Sequence, residues 1–234
     1  MFGNSISGKS LKVAVWLSTV LFLFLSVLYF LPAGIPFKAV FPVASLAVFS
    51  LWLAPFPVSV ALIASACGDL MGAAGNFMAQ MECFAVAHLF FCVFFIQRLF
   101  LTGKASARSF SAVLTAKRMA YLTVTGILVA AILLMAMICI VPEVPRGVSR
   151  AGVAFYSIVI SLMFFSALLQ RSIFYAAGAF LFVLSDFLLA WDKFVEPVPY
   201  GSFMIMIPYF LAQWMLYVRS TKYRVGKSLL LARL

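Results

Sequence analysis

Eight times along this chain a run of roughly twenty residues passes almost without charge, and the runs are separated only by short segments of turn formers or basic residues. In hydrocarbon every backbone N–H and C=O must find its partner inside the protein, and a helix of about 20 apolar residues both does this and reaches across. The pattern therefore admits one class of fold, an all-α polytopic membrane protein of about eight transmembrane helices. Composition agrees: with 66% hydrophobic and 10% charged residues among 234, the chain cannot cover a water-facing surface. No stretch is left over for a separate soluble domain.

Hydropathy and turn punctuation place the spans near 11–31, 37–54, 57–74, 80–100, 119–141, 151–170, 173–191 and 201–219, in a single integral membrane domain that ends in a basic tail, 220–234. The first run follows Lys9 and Lys12 but is long and has no clear small-x-small cleavage site, so it is expected to stay as the first helix. The four cysteines, Cys67, Cys83, Cys92 and Cys139, have no metal-like spacing and read as packing residues.

An even number of spans puts both termini on one side, here called side A. It holds Lys9, Lys12, Arg98, Lys104, Arg108, Lys117, Arg118, Arg171, Arg219, Lys222, Arg224, Lys227 and Arg233, thirteen of the seventeen basic residues, against Lys38, Arg146, Arg150 and Lys193 on side B. The positive-inside rule makes side A cytoplasmic, and the cytoplasmic membrane the location if the source is bacterial. The net charge of +11 is then topological, with the basic loop 101–118 and the tail lying against anionic head groups, and it does not indicate a nucleic-acid partner.

The acids show the opposite bias. Asp69, Glu82, Glu143, Asp186, Asp192 and Glu196 all fall in side-B loops or the side-B halves of spans. Acidic residues do not set topology, and an ionisable residue inside a span is a functional-site candidate. A faint duplication points to the same place: Gly68-Asp69-Leu70-Met71 followed by Phe77 resembles Ser185-Asp186-Phe187-Leu188 followed by Phe194, and Ala87-His88-Leu89 lines up with Pro208-Tyr209-Phe210. Four helices per half would make the repeats parallel.

Asp69 lies roughly 5 to 8 Å inside the end of the third span, and Asp186 is expected at a similar depth in the seventh. A buried carboxylate needs a cation, hydrogen-bond donors or water. Lys38 follows Pro36 at the start of the second span, where the helix dipole disfavours a cation, so the sequence predicts an anion nearby: Asp69, Asp186 or a substrate phosphate. His88, the only histidine, lies two or three turns into the fourth span and titrates in the range that suits proton transfer. Asp186 and Lys193 share a helix face, as do Tyr209 and Gln213, and Tyr156 brings a hydroxyl to a comparable level.

Other chemistries fall away. One histidine cannot build a multi-histidine zinc site. The serine in Gly147-Val148-Ser149-Arg150-Ala151 lies in a loop and not on a strand-to-helix elbow, and no phosphate-binding glycine loop occurs. Carboxylate, lysine, histidine and tyrosine remain, the equipment of general acid-base catalysis or of proton-coupled transport.

Taken together, Lys38 with Pro42, Gly68-Asp69 followed by Phe77 and Ala87-His88, Tyr156 with Ser161-Leu162-Met163, Leu184-Ser185-Asp186 with Leu189-Ala190 and Lys193-Phe194, and Tyr209 with Ala212-Gln213 resemble the YhhN-type membrane proteins, which include the lysoplasmalogenases. The likeness runs from about residue 11 to 219. Asp192 stands where that family often has an amide, and Pro208-Tyr209-Phe210 replaces a Thr-Tyr-Tyr-like string. The resemblance implies a hydrolase that cleaves the vinyl-ether bond of a lysophospholipid to give a fatty aldehyde and a glycerophospho-base, with no metal or other cofactor. For that chemistry Asp69 and Asp186 are expected to take the acid and anion roles in either order, His88 to shuttle protons or position water, and Lys38, Lys193, Tyr156, Tyr209 and Gln213 to bind the substrate. The competing reading is a small proton-coupled transporter, or a non-catalytic lipid-handling protein, using the same aspartates.

Overall fold

The computed structural model describes residues 8–32, 34–105 and 116–231. Among these residues the chain is helical throughout: α1 Gly8–Phe30, α2 Val40–Leu53, α3 Phe56–Ala73, α4 Phe77–Ala105, α5 Ala116–Cys139, α6 Val148–Leu168, α7 Ile173–Phe194 and α8 Gly201–Leu231. Seven are long and apolar enough to cross a membrane, and the eighth, α2, has 14 residues. The expected second span therefore begins later than 37, because residues 36–39 form a turn in which Phe37 has φ 54°. In the other direction, α8 carries on as helix through Leu231, into the stretch read as a basic tail. The loop residues 106–115 and the end of that tail, 232–234, lie outside the described residues.

Local chemistry sets the helix ends. Ala54 is extended before Pro55, as a residue preceding proline should be, and a second proline sits in the first turn of α3. At the other end of α3, Gly75 takes φ +79° and lets the Asn76 amide return to the Met71 carbonyl at 2.9 Å. The Asn76 side chain then accepts from the Ala79 amide at 3.1 Å, which starts α4 three residues earlier than expected. Before α6 the Arg150 guanidinium donates to the carbonyls of Val144 and Pro142, and between α7 and α8 the Asp192 carboxylate accepts from the Val198 amide at 2.8 Å. Two of the side-B charges thus close loops.

Packing follows the suspected duplication. Within the first half α1 packs on α2, α2 on α3 and α3 on α4; within the second, α5 packs on α6, α6 on α7 and α7 on α8. The halves join through α4 against α6 and α8 against α2, a pattern that adding four to every helix number carries onto itself. Phe77 and Phe194, equivalent positions in the two halves, meet edge to ring with centroids 5.2 Å apart, as self-equivalent residues do near a two-fold axis. Close approach of α3 to α4 depends on glycine: a Cβ on Gly68 would lie 2.7 Å from the Phe84 ring. Outward, Trp16, Phe24, Trp52, Phe56, Ile138 and Ile173 are exposed, a surface suited to lipid.

Candidate functional site

Two carboxylates are buried in the side-B half of the bundle, Asp69 on α3 and Asp186 on α7. Their depths differ more than expected. Asp69 is about 6 Å from the end of its helix, whereas α7 continues to Phe194 and leaves Asp186 about 12 Å inside.

Asp186 has two partners. The Tyr156 hydroxyl, from α6, donates to its Oδ2, and His88 Nε2, from α4, lies 3.1 Å from that same oxygen and 3.0 Å from the Tyr156 hydroxyl. Helix packing brings the three together: α6 rests on both α4 and α7, so one polar residue from each can converge where the three meet. When protonated, His88 makes an ion pair with Asp186; the neutral imidazole donates there only in the tautomer that carries its proton on Nε2. Asp69 is served separately, by the Tyr209 hydroxyl of α8, which donates to its Oδ2 at 2.9 Å. The exchange is crosswise: each half gives an aspartate to the other half's α4 or α8, and His88 and Tyr209 are the positions that the duplication aligns.

Phe182 stands between these clusters, with its ring 4.5 Å from that of His88 and 5.5 Å from that of Tyr209. The polar residues therefore form two separately hydrogen-bonded clusters, one around Asp186 and one around Asp69. Just before Asp186, the Ser185 hydroxyl donates to the Ile205 carbonyl at 2.9 Å, in the turn ahead of Pro208, which lies inside the continuous α8, and this ties α7 to α8 beside both aspartates.

A narrow cavity of about 50 Å³ opens among α4, α5, α6 and α7, and Asp186 and Tyr156 form part of its wall. The rest is mostly apolar, including Phe84, Ile132, Ala136 and Phe187, with Gln80, Ser157 and Ser161 as the remaining polar groups. Asp69, His88 and Tyr209 do not line it. Its α5 side is the least enclosed, because α5 packs on α6 and the Val141–Glu143 turn and otherwise faces outward.

The lysines take other places. Among the described residues neither Lys38 nor Lys193 makes an ion pair with Asp69 or Asp186. Lys38 instead donates to the Leu31 carbonyl at 2.9 Å and sits 5.5 Å above the Tyr29 ring. The expectation of a carboxylate beside Lys38 is thus corrected: the chain folds its ammonium back onto the C-terminal end of α1, where the dipole and free carbonyls favour a cation. Lys193, exposed, lies 5.8 Å above the Phe77 ring, and Phe77 lines the cavity, so this lysine stands at its rim. Gln213, one turn below Tyr209, is fully buried.

Sequence reasoning did not single out Gln80, Ser157 or Ser65. Ser157 and Gln80 border the cavity, and Ser65 is buried one turn before Asp69. Spacing of four from a buried aspartate was the available signal for Ser65, but serine is common in membrane helices and the signal is faint without a structure.

Against known proteins, residues 28–220 match the model of the YhhN family. Over 76 residues the chain is 36% identical to the human protein lysoplasmalogenase TMEM86B, a match covering 32% of this chain and 33% of the human one. The chain thus aligns with about a third of that relative's length. No solved structure matches.

Proposed function

From the premise that this chain belongs to the YhhN family of membrane proteins, we propose that it is a hydrolase that cleaves the vinyl-ether bond of a lysoplasmalogen. Its side-A face is cytoplasmic, so the site opens in the extracytoplasmic half of the bilayer. The alkenyl chain lies in the apolar cavity, entering past α5, and presents its ether end to Asp186. Lys193 at the rim holds the lipid phosphate, and Lys38 is a second phosphate contact reached by the head group.

The chemistry proceeds by proton transfer and one water. The carboxyl of Asp186 gives a proton to the outer vinyl carbon, and the double-bond electrons leave an oxocarbenium ion at the carbon bonded to oxygen. The Asp186 carboxylate, hydrogen-bonded by Tyr156 and His88, faces that cation, with the Asp69–Tyr209 pair packed behind. Water adds to the cationic carbon and its surplus proton returns through the His88–Asp186 pair. The hemiacetal then collapses, its hydroxyl proton passing to the leaving ether oxygen, to give a fatty aldehyde and the glycerophospho-base. One water is consumed and no electron changes hands.

The observation that carries this reading is the convergence of a carboxylate, an imidazole and a phenol at the wall of an apolar, lipid-side cavity. It favours an enzyme over a transporter, since Phe91, Phe95, Met163, Leu216 and Tyr217 are inaccessible, and the side-A cavity of about 500 Å³ at the α2–α3 turn and the end of α4 is lined by none of the site residues. Purified Asp186→Asn protein should release aldehyde from an alkenyl lysophospholipid at least about 100-fold more slowly than the parent. Turnover equal to the parent's would reject the assignment.

A further inference from the structure

The cavity beside Asp186 is apolar and is taken up by the lipid chain, so the water that the proposed hydrolysis consumes needs another place in the protein. Outside that cavity there is a set of buried polar atoms without a hydrogen-bond partner among the described residues: Ser65 Oγ, both amide atoms of Gln213 and Nδ1 of His88. Each belongs to a side chain with no accessible surface.

Their positions on the helices bring two of them to one place. Ser65 precedes Asp69 by four residues on α3, and Gln213 follows Tyr209 by four on α8, so each lies on the same face as its neighbour, one turn away. The two helices run antiparallel and are joined at the Asp69–Tyr209 bond, so both steps lead in the same direction, toward side A. The Gln213 amide lies close enough to act on the Tyr209 hydroxyl, but neither of its polar atoms makes a well-formed hydrogen bond, and the Ser65 hydroxyl has no partner at all among the described residues. Two such incompletely satisfied buried groups flanking one hydrogen bond are where a bridging water belongs. The duplication sharpens the point: at the equivalent positions of the other half stand Phe182 and Cys92, so the polar pair is peculiar to the α3–α8 side.

We propose that Ser65 and Gln213, together with the Tyr209 hydroxyl, hold an internal water beneath Asp69. As the source of the hydrolytic water this site rests on the proposed hydrolase activity; as a water site it does not. Water here completes the donor and acceptor capacity of a serine and a glutamine amide at once, and it stands one hydrogen bond from the carboxylate that backs the reacting centre.

The test compares the thermal midpoint of the purified full chain with those of Ser65→Ala, Gln213→Met and the double variant. If water is bound, each single change strands it and its remaining partners, and the midpoint falls by about 2–4 °C. The double variant, which removes both partners, then loses less than the two singles added together. A dry core gives the opposite sign: removing an unsatisfied buried group leaves the midpoint unchanged or raises it in both singles, and that result overturns the proposal. Aldehyde release measured on the same preparations separates the two ideas. An inactive parent with the predicted midpoints sinks the hydrolase reading and leaves the water site, whereas an active parent with unlowered midpoints sinks the water site alone. Where activity is present, Ser65→Ala and Gln213→Met should lower kcat with KM held, since neither residue lines the cavity that takes the lipid.

Discussion

Asp186 and Asp69 are the same residue type in equivalent positions of two halves, yet their surroundings give them different work. Asp186 shares one oxygen with a phenol and an imidazole and lies on the cavity wall, whereas Asp69 has a phenol only and sits behind. Under the proposed reaction, removing the carboxylate on the cavity wall should cost more than removing the one that does not line the cavity. Asp69→Asn is therefore expected to reduce aldehyde release about tenfold, against the hundredfold or greater loss for Asp186→Asn. Equal losses in side-by-side steady-state assays would argue that both carboxylates reach the substrate. These residues were conspicuous in the sequence, because a charge or an imidazole in a lipid-embedded helix is costly and rare. Their pairing was not legible, since which aspartate meets which partner depends on how α4, α6 and α7 pack. Lys38 shows the same limit: the dipole of its own helix was visible, and the carbonyl end of α1 that takes its ammonium was not.

At the scale of helices, the site depends on small residues and on one loosely held element. Gly68 lets α3 approach the Phe84 ring, and Phe84 in turn packs 5.7 Å from the Tyr209 ring. Gly68→Ala should destabilise the protein by about 1–3 kcal/mol, read in a thermal melt, because the methyl group meets the Phe84 ring and also the backbone carbonyl of Gln80 at 3.3 Å, which cannot step aside as a side chain can. A melt indistinguishable from the parent's would mean that α3 and α4 separate easily. Helix α5 poses the converse case, since it lines the cavity through Ile132 and Ala136 while its other sides face outward. Ala136→Trp should leave the fold intact, fill the slot and cut kcat/KM roughly tenfold or more, chiefly by raising KM. An unchanged KM would place the lipid chain elsewhere. Helix existence and order were readable from hydropathy. Several ends were not, because they rest on the Asn76 cap and on the turn at 36–39, which are matters of local geometry.

For the whole molecule, the charge asymmetry and the two-fold pattern are connected. Eight helices in two parallel halves bring both α3–α4 and α7–α8 corners to side B, and the acids gather there while most of the arginines hold the other face. On side A, Arg98 and Arg219 lie 5.1 and 5.8 Å from the centre of the Tyr175 ring, and Arg171 lies 5.3 Å from that of Tyr121. Cysteines introduced at Arg146 and at Lys222 should therefore react with a membrane-impermeant thiol reagent from opposite sides of an intact membrane, Lys222→Cys from the cytoplasmic side. Labelling of both from one side would contradict the arrangement. The duplication, faint in sequence because only aspartates and phenylalanines keep its spacing, is plain in the packing, since helix contacts persist when side chains diverge.

The central claim, a carboxylate site that opens vinyl ethers, meets its most direct test when the purified protein is given alkenyl, alkyl and acyl lysophospholipids of matched head group and both aldehyde and fatty acid are measured. Aldehyde from the alkenyl lipid alone is the predicted result. Fatty acid from the acyl lipid, or no product from any of the three, contradicts it.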